Sequence, residues 1–447
     1  MSTPPPADIA SRALDALDGD GWVSVVHDRS ATVALPRGGQ LRTATVDRTE
    51  VTFTAWRDGH VGTATVGGTD GAALAAAARR AVRTAEAVAA SSDGPGDATP
   101  PPEPAAVPAR DDAADPATAE ADPEAGLRAV AAARDAAQGA PVSVAWHHGG
   151  VVRALAASTG LALVEGTTDA HLRVRAGSGG VRAAVAAASA RAASGLDARA
   201  TALRALSRVP GGDWHDPTPG EQTIVLAPEA VAAILEVAAV LVFDGFAAAD
   251  GRTRAAGRLG SRLGSLPLAL SDDPDHTATL PRSFDASGAP KAALELVADG
   301  VLRSLVHDGR SEASTGHATA PGGGPLGPRA TNLVLAGGDA ADVEALVAGV
   351  DVGLLITSIE DLRPINAELG LAYGLAPDGA ARIQDGRVAG AAGSVPLLVS
   401  PLDVLADADA LTAERLLVGG PAFEGRRFGH AVLAPALRTH GGITVTD

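Results

Sequence analysis

The chain has 447 residues, 46% of them hydrophobic but only 2% aromatic, with 53 Gly, 30 Pro and no Cys. That length suits two or three folded units, and the lack of Cys excludes disulfides, thiolate nucleophiles, iron–sulfur clusters and Cys-ligated zinc within the chain. A net charge of −17, with Lys291 the one Lys among 36 Lys and Arg, argues against a nucleic-acid binder, which needs a basic stripe.

A Pro-rich start precedes a short helix over 7–17. Strand-like runs follow at Trp22–Asp28, Ala31–Leu35, Leu41–Val46, Glu50–Trp56 and Gly59–Val66, then an Ala-rich helix over 70–90. Residues 91–122 are rich in Pro, Asp and Ala and read as a surface segment. What comes next repeats what came before: a helix over 121–138, strands at Pro141–His148, Val151–Ala157, Ala162–Gly166, Ala170–Arg175 and Gly180–Ala188, and a helix over 194–209. The spacing predicts an α+β fold. An N-terminal domain (1–212) is built from this duplicated helix–antiparallel-sheet unit, and a β-rich C-terminal domain (213–447) follows. The latter opens with a strand at Gln222–Leu226 and a helix from Pro228 to about Val242, apolar nearly all round and therefore buried. Asp299-Gly300 and Asp385-Gly386 mark β-hairpins. No run of 18 apolar residues and no basic-then-apolar leader occurs, so the expectation is a cytoplasmic protein without a membrane span.

Few motifs carry chemistry. The string Gly322–Gly327 (GGGPLG) has no preceding strand or following helix and contains Pro325, so it reads as a loop rather than a nucleotide cradle. The eleven His never reach metal-binding spacing, and the adjacent His147 and His148 point to opposite faces of a strand. Asp272, Asp273 and Asp275 lack calcium-loop spacing and read as an acidic turn. Glu229 and Glu236, seven apart, share one helix face, and Glu229 also suits the positive end of the helix dipole.

From Glu221 onward the chain resembles the TldD/PmbA family of DNA gyrase modulators and metallopeptidases. The resemblance rests on TIVLAPEA (Thr223–Ala230), RSFDASG (Arg282–Gly288), LVADGVLRSLVHD (Leu296–Asp308), STG (Ser314–Gly316), RATN (Arg329–Asn332), VGLLIT (Val352–Thr357) and IQDGRV (Ile383–Val388), in the family's order. The family's metallopeptidase branch carries H-E-x-x-x-H on its central helix and a Cys nearer the C-terminus. Here Pro228 and Ala233 stand where the two His would be, and no Cys exists to supply the third ligand. Glu229 alone remains, at the position of the general base. Zinc needs converging imidazole, thiolate or carboxylate donors, so the resemblance implies the metal-free PmbA/TldE-like branch, with no metal or cofactor in this chain and zinc in a TldD-like partner. It further implies a catalytically silent subunit of a heterodimeric peptidase acting on peptides or peptide-like precursors. Arg282, Asp285, Ser314, Thr315, Arg329 and Asn332 are the expected peptide-cavity residues. His317 departs from the family, which commonly has Asn after Ser-Thr-Gly. Two rival readings are a homodimeric peptide or small-molecule binding protein, and a hydrolase using Glu229 with Glu236 or Asp244.

Overall fold

The computed structural model describes residues 4–96, 98–110, 113–179, 182–320, 327–423 and 426–446. A helix, three strands and a second helix occur twice in succession. The first set is α1 (Pro6–Leu14), β1 (Gly21–Leu35), β2 (Arg42–Arg57), β3 (His60–Gly67) and α2 (Gly71–Ser91). After a short α3 (Pro116–Ala119) come α4 (Pro123–Ala137), β4 (Val142–Ala157), β5 (Ala162–Gly179), β6 (Arg182–Ala190) and α5 (Ala198–Ser207). β1 and β4 pair antiparallel at the centre, giving one six-stranded sheet in the order β3-β2-β1-β4-β5-β6.

The helices cover one face of this sheet. α2 buries Leu74, Ala77, Ala78, Ala81 and Ala85, a three-to-four-residue spacing that makes one apolar stripe. Small residues bring the layers close: a Cβ added at Gly126 of α4 would collide with Val33 and Trp146. Asp70, Asp122 and Asp197 cap the N-termini of α2, α4 and α5 through side-chain hydrogen bonds to backbone N–H groups.

The short strands expected from the sequence are merged into long ones. Arg29-Ser30 and Thr167-Thr168-Asp169 separate strand-like runs in the sequence, but they lie inside the continuous strands β1 and β5. Asp28, Ser30, Thr168 and Asp169 are buried. On the sheet face opposite the helices, Thr32, His147, His171 and Ser189 stand side by side across four strands. His147 Nδ1 lies 2.9 Å from Thr32 Oγ1, His171 Nδ1 2.8 Å from Ser189 Oγ, and His171 Nε2 2.5 Å from Asp169 Oδ2. His148 points the other way and accepts a hydrogen bond from Trp146 Nε1.

The Pro-rich segment is a strap tied down by its own backbone. Trp56 Nε1 donates to the Ala98 carbonyl, Thr159 Oγ1 to that of Pro102, and Thr168 N to that of Ala113.

The remaining strands belong to a second sheet of 14 strands among the described residues. Its middle runs, in spatial order, Leu333–Leu335, Arg426–Thr439, Thr223–Leu226, Val352–Ile356, Leu371–Gln384 and Arg387–Val399. Both expected hairpin turns form, with φ near +50° at Asp299 and Asp385 and +72° at Gly300 and Gly386, the backbone that Asp-Gly turns favour. Against this sheet packs α6 (Pro228–Leu241), with Ile234, Leu235, Ala238 and Leu241 essentially inaccessible. Each large side chain so buried contributes about 1.5–3 kcal/mol.

Candidate functional site

The first turn of α6 holds Glu229, which the resemblance marks as a remnant general base. Pro228 opens the helix, its missing N–H costing nothing there. Glu229 Oε1 accepts hydrogen bonds from Ala187 N of the edge strand β6 (3.0 Å) and from Arg208 Nη1 (2.8 Å), with Arg204 Nε at 3.9 Å. The same two arginines, at the end of α5, donate to the β6 carbonyls: Arg204 to Ala187 O and Arg208 to Val185 O. Glu229 therefore ties the central helix to the edge of the N-terminal sheet.

Zinc does not fit this donor set. Pro228 and Ala233 offer no lone pair, and the one carboxylate is bound to a guanidinium. Among the described residues no three His, Asp or Glu converge as a metal-holding group. A second acid does not join Glu229 either. Glu236 turns to His430 Nε2 at 3.2 Å and is two-fifths exposed, although it shares the helix face of Glu229. Asp244 caps the short helix Gly245–Ala249 by accepting from Ala247 N, and burial pushes its pKa up.

The six residues expected to line a peptide cavity lie in several loops of the second half, where hydrogen bonds and ion pairs hold them. Arg282 is buried with Nη1 3.5 Å from Glu165 of β5, which also pairs with Arg153 at 2.7 Å and accepts from Ser283 N. Asp285 accepts from Ser287 N, Ala289 N and Ala318 N; burial raises its pKa to about 6 against those hydrogen bonds. Ser314 is exposed, with Oγ 3.5 Å from Asp285. Thr315 Oγ1 accepts from His307 N and donates to His307 O. Arg329 N donates to His317 O. Asn332 donates its backbone N–H to Asp272 and its side-chain amide to Leu280 O.

Among these loops stand three residues that the sequence did not single out as a site: Asp272, Lys291 and His317. Lys291 Nζ is 2.9 Å from Asp272 Oδ1, and His317 Nε2 is 3.3 Å from Asp272 Oδ2. All three side chains are at most 3% exposed. Burial acts to raise the pKa of Asp272, but Lys291 and His317 outweigh it and hold the carboxyl below the ordinary range; burial and Lys291 hold His317 down. The acidic turn thus splits three ways. Asp272 points inward, Asp273 caps the backbone of Asp275 and His276, and Asp275 pairs with Arg110 at 2.6 Å. The available signal was Lys291 itself, the one Lys kept in an Arg-rich chain. The GGGPLG string lies, apart from Gly327, outside the described residues.

Arg110 of the strap also donates to Arg282 O at 2.8 Å and Lys291 O at 3.1 Å. With Arg173–Glu360 and Arg282–Glu165, it joins the first half of the chain to the loops of the second. No helix among the described residues is long and apolar enough to cross a membrane.

The structure is similar to that of TldE from Thermococcus kodakarensis, with a TM-score of 0.81 and 18% identity over 98% of this chain and 99% of the other. It is also similar to candidate modulators of DNA gyrase from Thermotoga maritima (TM-score 0.74, 16% identity, 95% of each chain) and Bacteroides thetaiotaomicron (TM-score 0.74, 17% identity, 99% and 98%). No curated protein matches the sequence. Residues 219–443 match the family model of the PmbA/TldA metallopeptidase C-terminal domain, and with half of its length so matched the chain belongs to the PmbA/TldD family.

Proposed function

We propose that this chain is the metal-free, catalytically silent, TldE-like subunit of a two-subunit peptidase of the cytoplasm. A TldD-like partner bearing H-E-x-x-x-H would supply zinc and the reactive water, and the substrates would be peptides or peptide-like precursors. The observation that carries this reading is the state of Glu229. A general base must reach a proton on water or substrate, and this carboxylate is tied to Arg208 and Ala187 N between donorless Pro228 and Ala233. A metal-bound water would need ligands this helix does not carry. The likeness in fold to TldE supports the same assignment.

What the chain's own residues would do is positional. The hydrogen-bonded frame around Asp285 ties residues 282–291 to 314–318, and pairing of an extended peptide's main chain with a strand edge is the recognition mode we assign.

The test is co-expression with an H-E-x-x-x-H paralogue, followed by metal analysis and peptidase assay. Stoichiometric zinc and chelator-sensitive activity should appear only in the complex. Activity from this chain alone that survives chelation overturns the proposal. A stable homodimer that ignores the partner favours the binding-protein reading instead.

A further inference from the structure

We propose that Lys291 and Asp272 form an intramolecular isopeptide bond, a self-catalysed cross-link between the strand Leu270–Asp272 and the segment leading out of the Arg282–Pro290 loop. The proposal is independent of the subunit's role in a peptidase.

Three observations point to it. First, the amine and the carboxyl are already in contact at 2.9 Å, both sealed from solvent. Asp272 Oδ1 nevertheless has no aligned hydrogen-bond donor, so Nζ meets the carboxyl off the hydrogen-bonding direction. Second, Oδ2 is held by two backbone donors, Thr331 N at 2.7 Å and Asn332 N at 3.3 Å. Such a pair stabilises the oxyanion that forms when a carboxyl carbon is attacked. Third, an arginine cannot perform this reaction, because its guanidinium stays protonated. In a chain whose other basic residues are all Arg, the one nucleophilic amine stands against a buried carboxyl.

The proton that the carboxyl needs comes from the Lys291 ammonium, whose Nζ already touches Oδ1. Its transfer to Oδ1 leaves a neutral amine beside a carboxylic acid, while Thr331 N and Asn332 N hold Oδ2. The Nζ–Cγ bond forms and one Cγ–O bond breaks. The departing oxygen leaves as water with two of the three ammonium protons, and the third stays on the amide nitrogen. No oxidant or co-reactant enters.

Denaturing intact-mass spectrometry of the full chain tests this directly. The wild-type mass should be one water below that of the polypeptide. Lys291→Arg and Asp272→Ala should each show the full mass of their sequence. Trypsin, cutting at Arg262, Arg282 and Arg303, should release a branched peptide joining residues 263–282 to 283–303, uncut at Lys291. A wild-type chain at full mass, cleaved after Lys291, overturns the proposal. So does a water deficit that maps to a single linear peptide. The branched-peptide map needs only wild-type protein, so the test stands even where a variant fails to fold.

Discussion

The carboxylate of Glu229 lies 2.8 Å from the guanidinium of Arg208, across the gap between the central helix and the edge of the N-terminal sheet. The pair fastens the C-terminal half of the chain to the N-terminal one.

Removing that carboxylate should cost stability rather than chemistry. Glu229→Ala leaves Arg208 uncompensated in a largely buried site, a loss of roughly 3 kcal/mol. Glu229→Gln keeps an acceptor for Ala187 N and should cost less. Chemical denaturation of the isolated chain measures both. In a reconstituted complex at a temperature where the Gln variant is folded, kcat should match wild type.

Glu236 and His430 are expected to matter little. The pair is partly exposed, and such pairs contribute about 0–1 kcal/mol. Glu236→Gln should leave the melting temperature within error and the complex's activity unchanged. A loss of turnover without a loss of stability would revive the hydrolase reading.

Asp285 should make stability fall as pH rises from 4 to 6. Its pKa is raised from 3.8 to about 6 in the folded chain, so between those values the folded state holds more protons than the unfolded one. The stabilisation is complete below the unfolded pKa and lost as pH passes the folded one, a swing of roughly 3 kcal/mol. Asp272 acts in the opposite sense. Its pKa is lowered, so its contribution is present above the unfolded value and lost in stronger acid. Melting temperatures across pH 4–7 should decline for wild type and flatten for Asp285→Asn, at lower overall stability because an amide N–H would then face Ala318 N.

Arg110 should act as the strap's anchor. Arg110→Ala removes its bonds to Asp275, Arg282 O and Lys291 O and leaves two carbonyls short of a donor, a cost of about 2 kcal/mol. Limited proteolysis should then cut the 98–115 segment faster than in wild type, with the fragments of both halves surviving.

Chelation separates this chain from its expected partner. Treatment with a strong chelator should abolish the peptidase activity of the complex while leaving the melting temperature of the isolated subunit unchanged, because Pro228 and Ala233 hold no metal for the fold to depend on. A chelator-induced drop in that temperature would contradict the assignment.

Features decided by neighbouring residues could be read along the chain. Pro228 in the first turn and an apolar run predicted α6, Asp-Gly pairs predicted two-residue turns, and the loss of donors at 228 and 233 needed no coordinates. Polar stretches were misread. Arg29-Ser30 and Thr167-Thr168-Asp169 looked like breaks because polarity usually marks solvent. Residues more than a hundred positions away bury that sheet face, as Glu165–Arg282 shows.

The sequence by itself determined that this chain brings no thiolate to any site, since an atom absent from the covalent structure cannot be supplied by folding. Only the tertiary structure decided what the remaining charged groups do. Glu229 meets Arg208, and Lys291 meets Asp272 and His317, because a buried charge needs a partner in a low-dielectric interior and chain folding, not spacing along the sequence, chooses it.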